Sequence, residues 1–250
     1  HGFRFTSITD SIKAFFFRII EKILSFNTDI FITINDEDYN FAKFQLFKRS
    51  LYYKINGVGL NPKIKHLKKT FKKKQKIKKI LVIAAYKKEK GYTDILEVAA
   101  MLKNQKIKIE CYGDGDHHKF DSIRIKKKLH NISFKKFDIN LKNKIKNFDI
   151  LLHLSKREGL PVAVMQSLSE GLPVICYNIR GNNDLIKDKF NGYFVNSYKD
   201  VPGRIFYLNM EEGFFDKMRI NAFKSINKDF SKKQINLNIY KIIKNYSKVH

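Results

Sequence analysis

Between residues 80 and 195 short apolar runs alternate with helix-length stretches, and this alternation constrains the fold more than any other feature. Ile80-Leu-Val-Ile-Ala-Ala85, residues 107–112, Asp149-Ile-Leu-Leu-His153, Pro173-Val-Ile-Cys176 and Tyr193-Phe-Val195 each read as a strand. The first is followed by a helix that Thr93 would cap, running to about residue 104. The second leads through a Gly113-Asp-Gly115 turn into a helix to residue 130. The third is followed by a helix that ends at Gly171. Strands that each feed a helix and return pair in parallel. The predicted class is α/β, with a doubly wound, mainly parallel sheet. Residues 214–246 read as two closing helices.

The stretch ahead of this pattern is different in kind. From Gly2 to Gly57 there is no intervening glycine or proline. Thr9 or Asp10 would cap a helix to about residue 25; a strand at 29–34, a helix capped by Asn35 and a strand at 51–55 follow. Residues 63–79 then hold ten Lys and no acid. That run divides the chain into a first unit (1–62), a Lys-rich linker (63–79) and a second unit (80–250).

Composition excludes several classes. In 250 residues, 50 Lys+Arg face 24 Asp+Glu, giving a formal charge of +26. Only eight of the cations are Arg, the residue suited to bidentate base and phosphate recognition, so a nucleic-acid partner is not expected. A solvated Lys-rich surface, an anionic membrane surface and a phosphorylated substrate remain as readings of the charge. A hydrophobic content of 43% is enough to build a core, which argues against disorder. Cys111 and Cys176 stand far apart in apolar segments, so no disulfide framework is expected. No run approaches the 18 apolar residues of a membrane span, and no cleavable signal peptide is read.

Chemistry concentrates in Ser155-Lys-Arg-Glu158-Gly-Leu-Pro161-Val-Ala-Val-Met-Gln166-Ser-Leu-Ser-Glu-Gly171-Leu-Pro-Val174, where a strand ends and a helix begins. Pro161 suits a first helical turn and Gly171 a C-terminal cap. Gly159 leaves the main chain bare where the unpaired N–H groups of the helix start emerge. Bare amides at the positive end of a helix, above the carboxyl end of a parallel strand, form an anion site. Gln166 lies eight residues beyond Glu158, about 12 Å along a helical axis. That separation suits a ligand with a sugar, a diphosphate and a ribose in line. An ordinary strand–turn–helix whose Gly and Pro serve geometry alone is the competing reading.

The segment resembles the donor-binding signature of family-4 glycosyltransferases, retaining enzymes of the two-domain GT-B fold. In that signature a Glu is followed by seven residues and a second Glu, with Gly-Leu-Pro after the first. Ile179-Arg-Gly-Asn-Asn-Asp-Leu-Ile186 and Asn191-Gly192 continue the likeness, which is nearest to bacterial capsule, exopolysaccharide and O-antigen transferases. Lys90-Gly91 resembles their donor loop, and residues 34–39 and 55–59 resemble the end of their first domain.

The resemblance implies a Rossmann-like C-terminal domain that binds a nucleotide-sugar and a partial Rossmann-like N-terminal domain on the acceptor side. It implies that Glu158 bonds hydroxyls of the transferred sugar, that the Gly159 and Leu160 amides face the diphosphate, and that Lys90 neutralises the leaving group. Pro161 and Gln166 would complete the donor contacts, with Gly113 and Gly115 letting the backbone approach the donor. His1 resembles the active-site histidine near the reacting sugar. The reaction implied is metal-independent transfer, from a UDP-sugar by preference, to a lipid-linked saccharide acceptor at the cytoplasmic membrane face. No cofactor is implied beyond the nucleotide-sugar co-substrate.

Three positions depart from the pattern. Gln166 stands where the family has its second Glu, and an amide accepts less well than a carboxylate from two ribose hydroxyls. Ala85 stands where many relatives carry Arg. His1 begins the chain at a point that lies deep within the relatives' first domain. The expectation is a fragment, a truncated frame or one piece of a split enzyme, its missing domain supplied elsewhere. An inactive nucleotide-sugar-binding remnant, an epimerase or phosphorylase-like enzyme on the same fold, and a polyanion-binding module are the rivals.

Two further features were weighed. Asp114, Asp116, His117 and His118 crowd together, and we read them as a polar turn with no metal. The amphipathic stretch 13–26, with the Lys run, would suit an anionic lipid surface; packing of Phe15 to Ile23 into a core is the preferred reading. His153 is expected to pack within its strand.

Overall fold

The computed structural model describes residues 2–5, 12–46, 49–60, 76–211, 213–226 and 228–248. His1, the Thr9 and Asp10 caps and most of the Lys run lie outside the described residues.

The second unit is a six-stranded, all-parallel sheet in the order β5-β4-β3-β6-β7-β8. Its strands are β3 (Lys79–Ile83), β4 (Lys108–Gly113), β5 (Ile132–Lys136), β6 (Ile150–His153), β7 (Val174–Tyr177) and β8 (Gly192–Val195). Helices α3 (Tyr92–Met101), α4 (His118–Lys126), α5 (Leu141–Lys144), α6 (Val162–Ser169), α7 (Val201–Met210) and α8 (Phe214–Ser225) cover both faces. Period-two alternation sorts the strand side chains between two layers. Ile80 and Val82 join Ile95, Leu96, Val201 and Ile205 in one core, and Leu81 joins Val164, Met165 and Leu168 in the other. Each fully buried aliphatic side chain there contributes about 1.5–3 kcal/mol.

The structure corrects the sequence reading at several points. Residues 132–136 form an edge strand, β5, where none was expected. Helix α3 begins at Tyr92 behind Gly91, so Thr93 is inside the first turn and caps nothing. Helix α4 stops at Lys126, short of residue 130, and α7 adds a helix before the closing pair. Strand β3 starts at Lys79, inside the expected linker, and Ile77 is already buried.

The first unit holds α1 (Ile12–Leu24), β1 (Ile30–Thr33), α2 (Asp36–Gln45) and β2 (Leu51–Lys54). β1 and β2 form a separate parallel pair, with Ile30 opposite Leu51 and Thr33 opposite Lys54. Asn35 caps α2 as predicted, its side chain accepting from the Asp38 amide. Helix α1 overturns the preferred reading of its apolar face. Ala14 and Ser25 are buried and Phe17, Arg18 and Glu21 half-buried, whereas Phe15, Phe16, Ile19, Ile20, Ile23 and Leu24 are exposed. Small and polar residues face the protein and the apolar ones face outward.

Helix α9 (Lys232–Tyr246) ties the two units together. Ser231 forms a parallel bridge with Leu60, and the Tyr246 hydroxyl pairs with Asp29. No helix among the described residues is long and apolar enough to cross a membrane.

Candidate functional site

In a doubly wound sheet, ligands bind beyond the carboxyl ends of the strands where the winding direction reverses. Here that point lies between β3 and β6, so the loops after these two strands frame the crevice. They are laced together: the Lys156 amide donates to the Glu89 carbonyl at 2.9 Å. Gly91 has a left-handed φ of +76°, and a Cβ there would sit 1.9 Å from the Leu154 carbonyl oxygen. Only glycine lets the two loops approach so closely.

This lacing brings Lys90 and Glu158 together. Lys90 Nζ lies 2.7 Å from Glu158 Oε1, with the two side chains 22% and 12% exposed. His153, at the end of β6, is buried, and its Nε2 is 3.3 Å from the same oxygen. The imidazole is thus a second close neighbour of that carboxylate oxygen. Burial pushes the Glu158 carboxyl up, but His153 and Lys90 outweigh it and hold the pKa at about 2. At neutral pH Glu158 is therefore an acceptor with no proton to give.

Beyond Glu158 the main chain is shaped from below. The Glu158 carbonyl accepts from Arg180 Nε at 3.0 Å, and the Gly159 carbonyl accepts from Asn35 Nδ2 at 3.1 Å. No acceptor among the described residues takes the amides of Gly159 or Leu160. Pro161 occupies the N-cap position of α6 with extended geometry, and no side chain caps the helix. The first-turn amides of α6 add to the unpaired set. Glu158 and Gly159 are half-buried and Leu160 is buried. Gln166 is half-buried on α6, and its side chain has no partner among the described residues.

Gly113 ends β4 and Gly115 lies on the loop after it. Gly113 is fixed by packing, since a Cβ there would meet the Ala84 carbonyl at 1.9 Å; Gly115 is exposed with a φ of +95°. Asp114 and Asp116 accept from main-chain amides of the same turn. No group of three His, Cys, Asp or Glu among the described residues is placed to hold a metal ion. The catalytic expectation for His1 falls outside the described residues.

Five side chains make contacts that the sequence reading did not specify. His153 was expected to pack in its strand and instead faces Glu158. Arg180, Asn35 and Asp38 hold the donor loop from beneath. Asp184 accepts from the Asp36 amide at 2.7 Å, capping a helix of the other unit. The available signal was the buried placement implied for an Arg beside glycine, and it needed the first unit's position to be interpreted.

Comparison with known proteins bears on this geometry. The sequence profile of the family described as "Glycosyl transferases group 1" matches residues 63–205. The chain belongs to the group 1 glycosyl transferases.

Among its group 1 relatives, EpsD of Bacillus subtilis (strain 168) is 27% identical over 209 residues, covering 78% of this chain and 55% of that protein. The N,N'-diacetylbacillosaminyl-diphospho-undecaprenol alpha-1,3-N-acetylgalactosaminyltransferase of Campylobacter jejuni is 24% identical over 233 residues, 88% of this chain and 60% of that protein. The chain thus spans a little over half the length of these relatives. The pneumococcal O-GlcNAc transferase GtfA, solved with UDP and GlcNAc, superposes with a TM-score of 0.76 at 17% identity over 92% of this chain and 47% of its own. Anabaena HepE, solved with UDP and glucose, gives 0.76 at 13% identity over 92% and 67%. At such identities these structures establish the fold, which is Rossmann-like and of the GT-B type.

Proposed function

We propose that this chain is the donor-binding part of a retaining, family-4 glycosyltransferase that moves a sugar from a UDP-sugar to a lipid-linked glycan precursor. The observation that carries the reading is the Lys90–Glu158 pair beside two partnerless amides at the switch point of the sheet. A cation, free main-chain donors and an ionised acceptor in one half-open crevice match a diphosphate joined to a polyhydroxyl ring. The ligands of GtfA and HepE, UDP with a sugar, are of this chemistry.

On donor binding Lys90 exchanges Glu158 for the diphosphate, and the freed carboxylate accepts from sugar hydroxyls. The bond between the anomeric carbon and the diphosphate oxygen breaks, and its electron pair leaves with the diphosphate. Lys90 and the Gly159 and Leu160 amides stabilise that growing charge. The acceptor hydroxyl attacks the same face and its proton passes to the departing phosphate. In this reading the ammonium and amides take the place of a metal, Gln166 bonds a ribose hydroxyl, and Gly113 and Gly115 border the nucleotide.

The acceptor is a saccharide on a membrane diphosphate lipid, as the names of the Campylobacter enzyme and an Escherichia coli galactosyltransferase state for those proteins. We place the reaction at the inner membrane face, in surface polysaccharide assembly, with the apolar side of α1 and its exposed Lys13 and Lys22 toward anionic lipid. Calorimetric titration with UDP-GlcNAc, UDP-glucose, UDP and tripolyphosphate, with and without EDTA, tests the site. Saturable UDP-sugar binding that survives EDTA and 0.2 M salt supports the reading. Equal binding of tripolyphosphate, abolished by that salt, replaces it with a polyanion module. Because Gln166 stands where a carboxylate would accept from two ribose hydroxyls, a protein that binds donor without transfer is the second reading. Transfer to an undecaprenyl-diphosphate saccharide excludes it.

A further inference from the structure

The peptide joining Glu158 to Gly159 is trans, as is the next one, so in each the carbonyl and the amide point in opposite directions. A contact that fixes the Glu158 carbonyl therefore also fixes the Gly159 amide, and one that fixes the Gly159 carbonyl fixes the Leu160 amide. Arg180 and Asn35 make those two contacts. Neither acts alone. Arg180 is 4% exposed, and its Nη1 donates to Asp38 Oδ1 at 2.8 Å and to the Phe5 carbonyl at 2.7 Å; Nη2 donates to the Phe3 carbonyl at 3.1 Å. Asn35 Nδ2 also donates to Asp38 Oδ2 at 2.8 Å, while its Oδ1 accepts from the Asp38 amide. Gly181, with a φ of +79°, admits the Gly159 carbonyl; a Cβ there would lie 2.2 Å from it.

We propose that Arg180, Asp38 and Asn35 form a positioning device by which the first unit aims the Gly159 and Leu160 amides of the second unit into the donor crevice. The inference rests on the donor-site reading and adds a dependence that reading lacks. The anion-binding geometry of the second unit is set by residues of the first. Asn35 and Asp38 come from the start of α2, and the carbonyls of Phe3 and Phe5 from the segment ahead of α1. Arg180 is the sole cation within hydrogen-bonding distance of the Glu158 carbonyl among the described residues. Its planar fork satisfies four acceptors at once, which Lys cannot reproduce. Asp38 supplies the countercharge for burying it.

A simple loss of binding in an Arg180 variant would not separate aim from stability, because one unpaired carboxylate would then be left buried. The R180M/D38L double variant removes both charges and so recovers thermal stability relative to R180M. Aim is not recovered, since nothing holds the Glu158 carbonyl. The chain is therefore compared as wild type, R180M, R180M/D38L and N35A, by thermal midpoint and by titration with UDP and inorganic pyrophosphate. Amide ¹H–¹⁵N resonances of Gly159 and Leu160 are recorded without ligand. The expected result is a double variant with a midpoint above that of R180M, about tenfold weaker pyrophosphate and UDP binding than wild type, and a displaced Gly159 resonance. N35A is expected to displace the Leu160 resonance more than the Gly159 one. Wild-type affinity together with an unmoved Gly159 resonance in the double variant would overturn the proposal. If the wild type binds neither UDP nor pyrophosphate, the donor-site reading fails, and the ligand-free resonances still decide whether Arg180 sets the loop.

Discussion

The two units of this chain treat their apolar residues in opposite ways. In the second unit every strand is flanked by helices, and Ile95, Leu96, Leu151 and Val164 are fully buried. In the first, α1 turns Ala14 inward and leaves Phe15, Phe16, Ile23 and Leu24 in the open, beside a parallel pair that among the described residues has two strands. Parallel strands are ordinarily covered on both faces, and among the described residues nothing covers this apolar face of α1. The difference teaches that an apolar period reports which residues seek burial and leaves open what covers them. The second unit supplies the Lys90–Glu158 pair, and the first unit contributes Asn35 to the support of the turn that follows Glu158.

The largest expected effect tests the closed core. Leu151→Ala should cost about 3–5 kcal/mol in urea unfolding, by lost burial and the cavity left behind. A cost below about 1 kcal/mol would show that the sheet is loosely packed. Next comes the site on that sheet: Lys90→Ala should lower transfer by about a hundredfold or more, with a partial loss of stability at neutral pH because Glu158 keeps only His153 beside its carboxylate. Glu158→Ala should weaken UDP-sugar binding more than UDP binding. Equal losses for the two ligands would remove the role given to its carboxylate.

The pH dependence follows the same pair. Glu158 has a pKa depressed to about 2 from 4.5. Its contribution to stability is thus complete above pH 4.5 and lost as pH falls from 4.5 toward 2. The difference is on the order of 3 kcal/mol, to be read by comparing wild type with Glu158→Gln across that window. Parallel curves for the two proteins would mean that the ion pair does not form. His153→Leu should reduce the same acid sensitivity partially, since Lys90 remains. The smallest effect belongs to α1. Phe16→Ser with Ile23→Ser should shift unfolding by no more than about 0.5 kcal/mol while reducing binding to anionic vesicles. A large loss of stability would place that face inside a core after all.

Where segments were legible in the sequence, the reason is physical. Runs such as Ile80-Leu-Val-Ile read correctly because a central strand is buried on both faces and tolerates no interruption. β5 was missed because it is an edge strand: in Ile132-Ser-Phe-Lys-Lys136 burial falls away along the strand and the two lysines carry no apolar signal. Thr93 was taken for a cap because it has the right side chain. Gly91 instead begins the helix, because the loop must pass within touching distance of the Leu154 carbonyl. Glu158, Gly159 and Lys90 stand out in the sequence through local patterns; the contacts of His153 and Arg180 do not, since each is defined by a partner far away in sequence.

By itself the sequence determined the α/β class, the parallel alternation, and the breaks at Gly91, Pro161 and Gly171. All of these follow from the hydrogen-bonding and steric needs of neighbouring residues. Tertiary structure alone decided that Lys90 and Glu158, 68 positions apart, share one oxygen contact, and that Arg180 and Asn35 turn the donor amides. It also decided that α1 faces outward. Such facts depend on which surfaces meet, and short-range pattern carries no record of that.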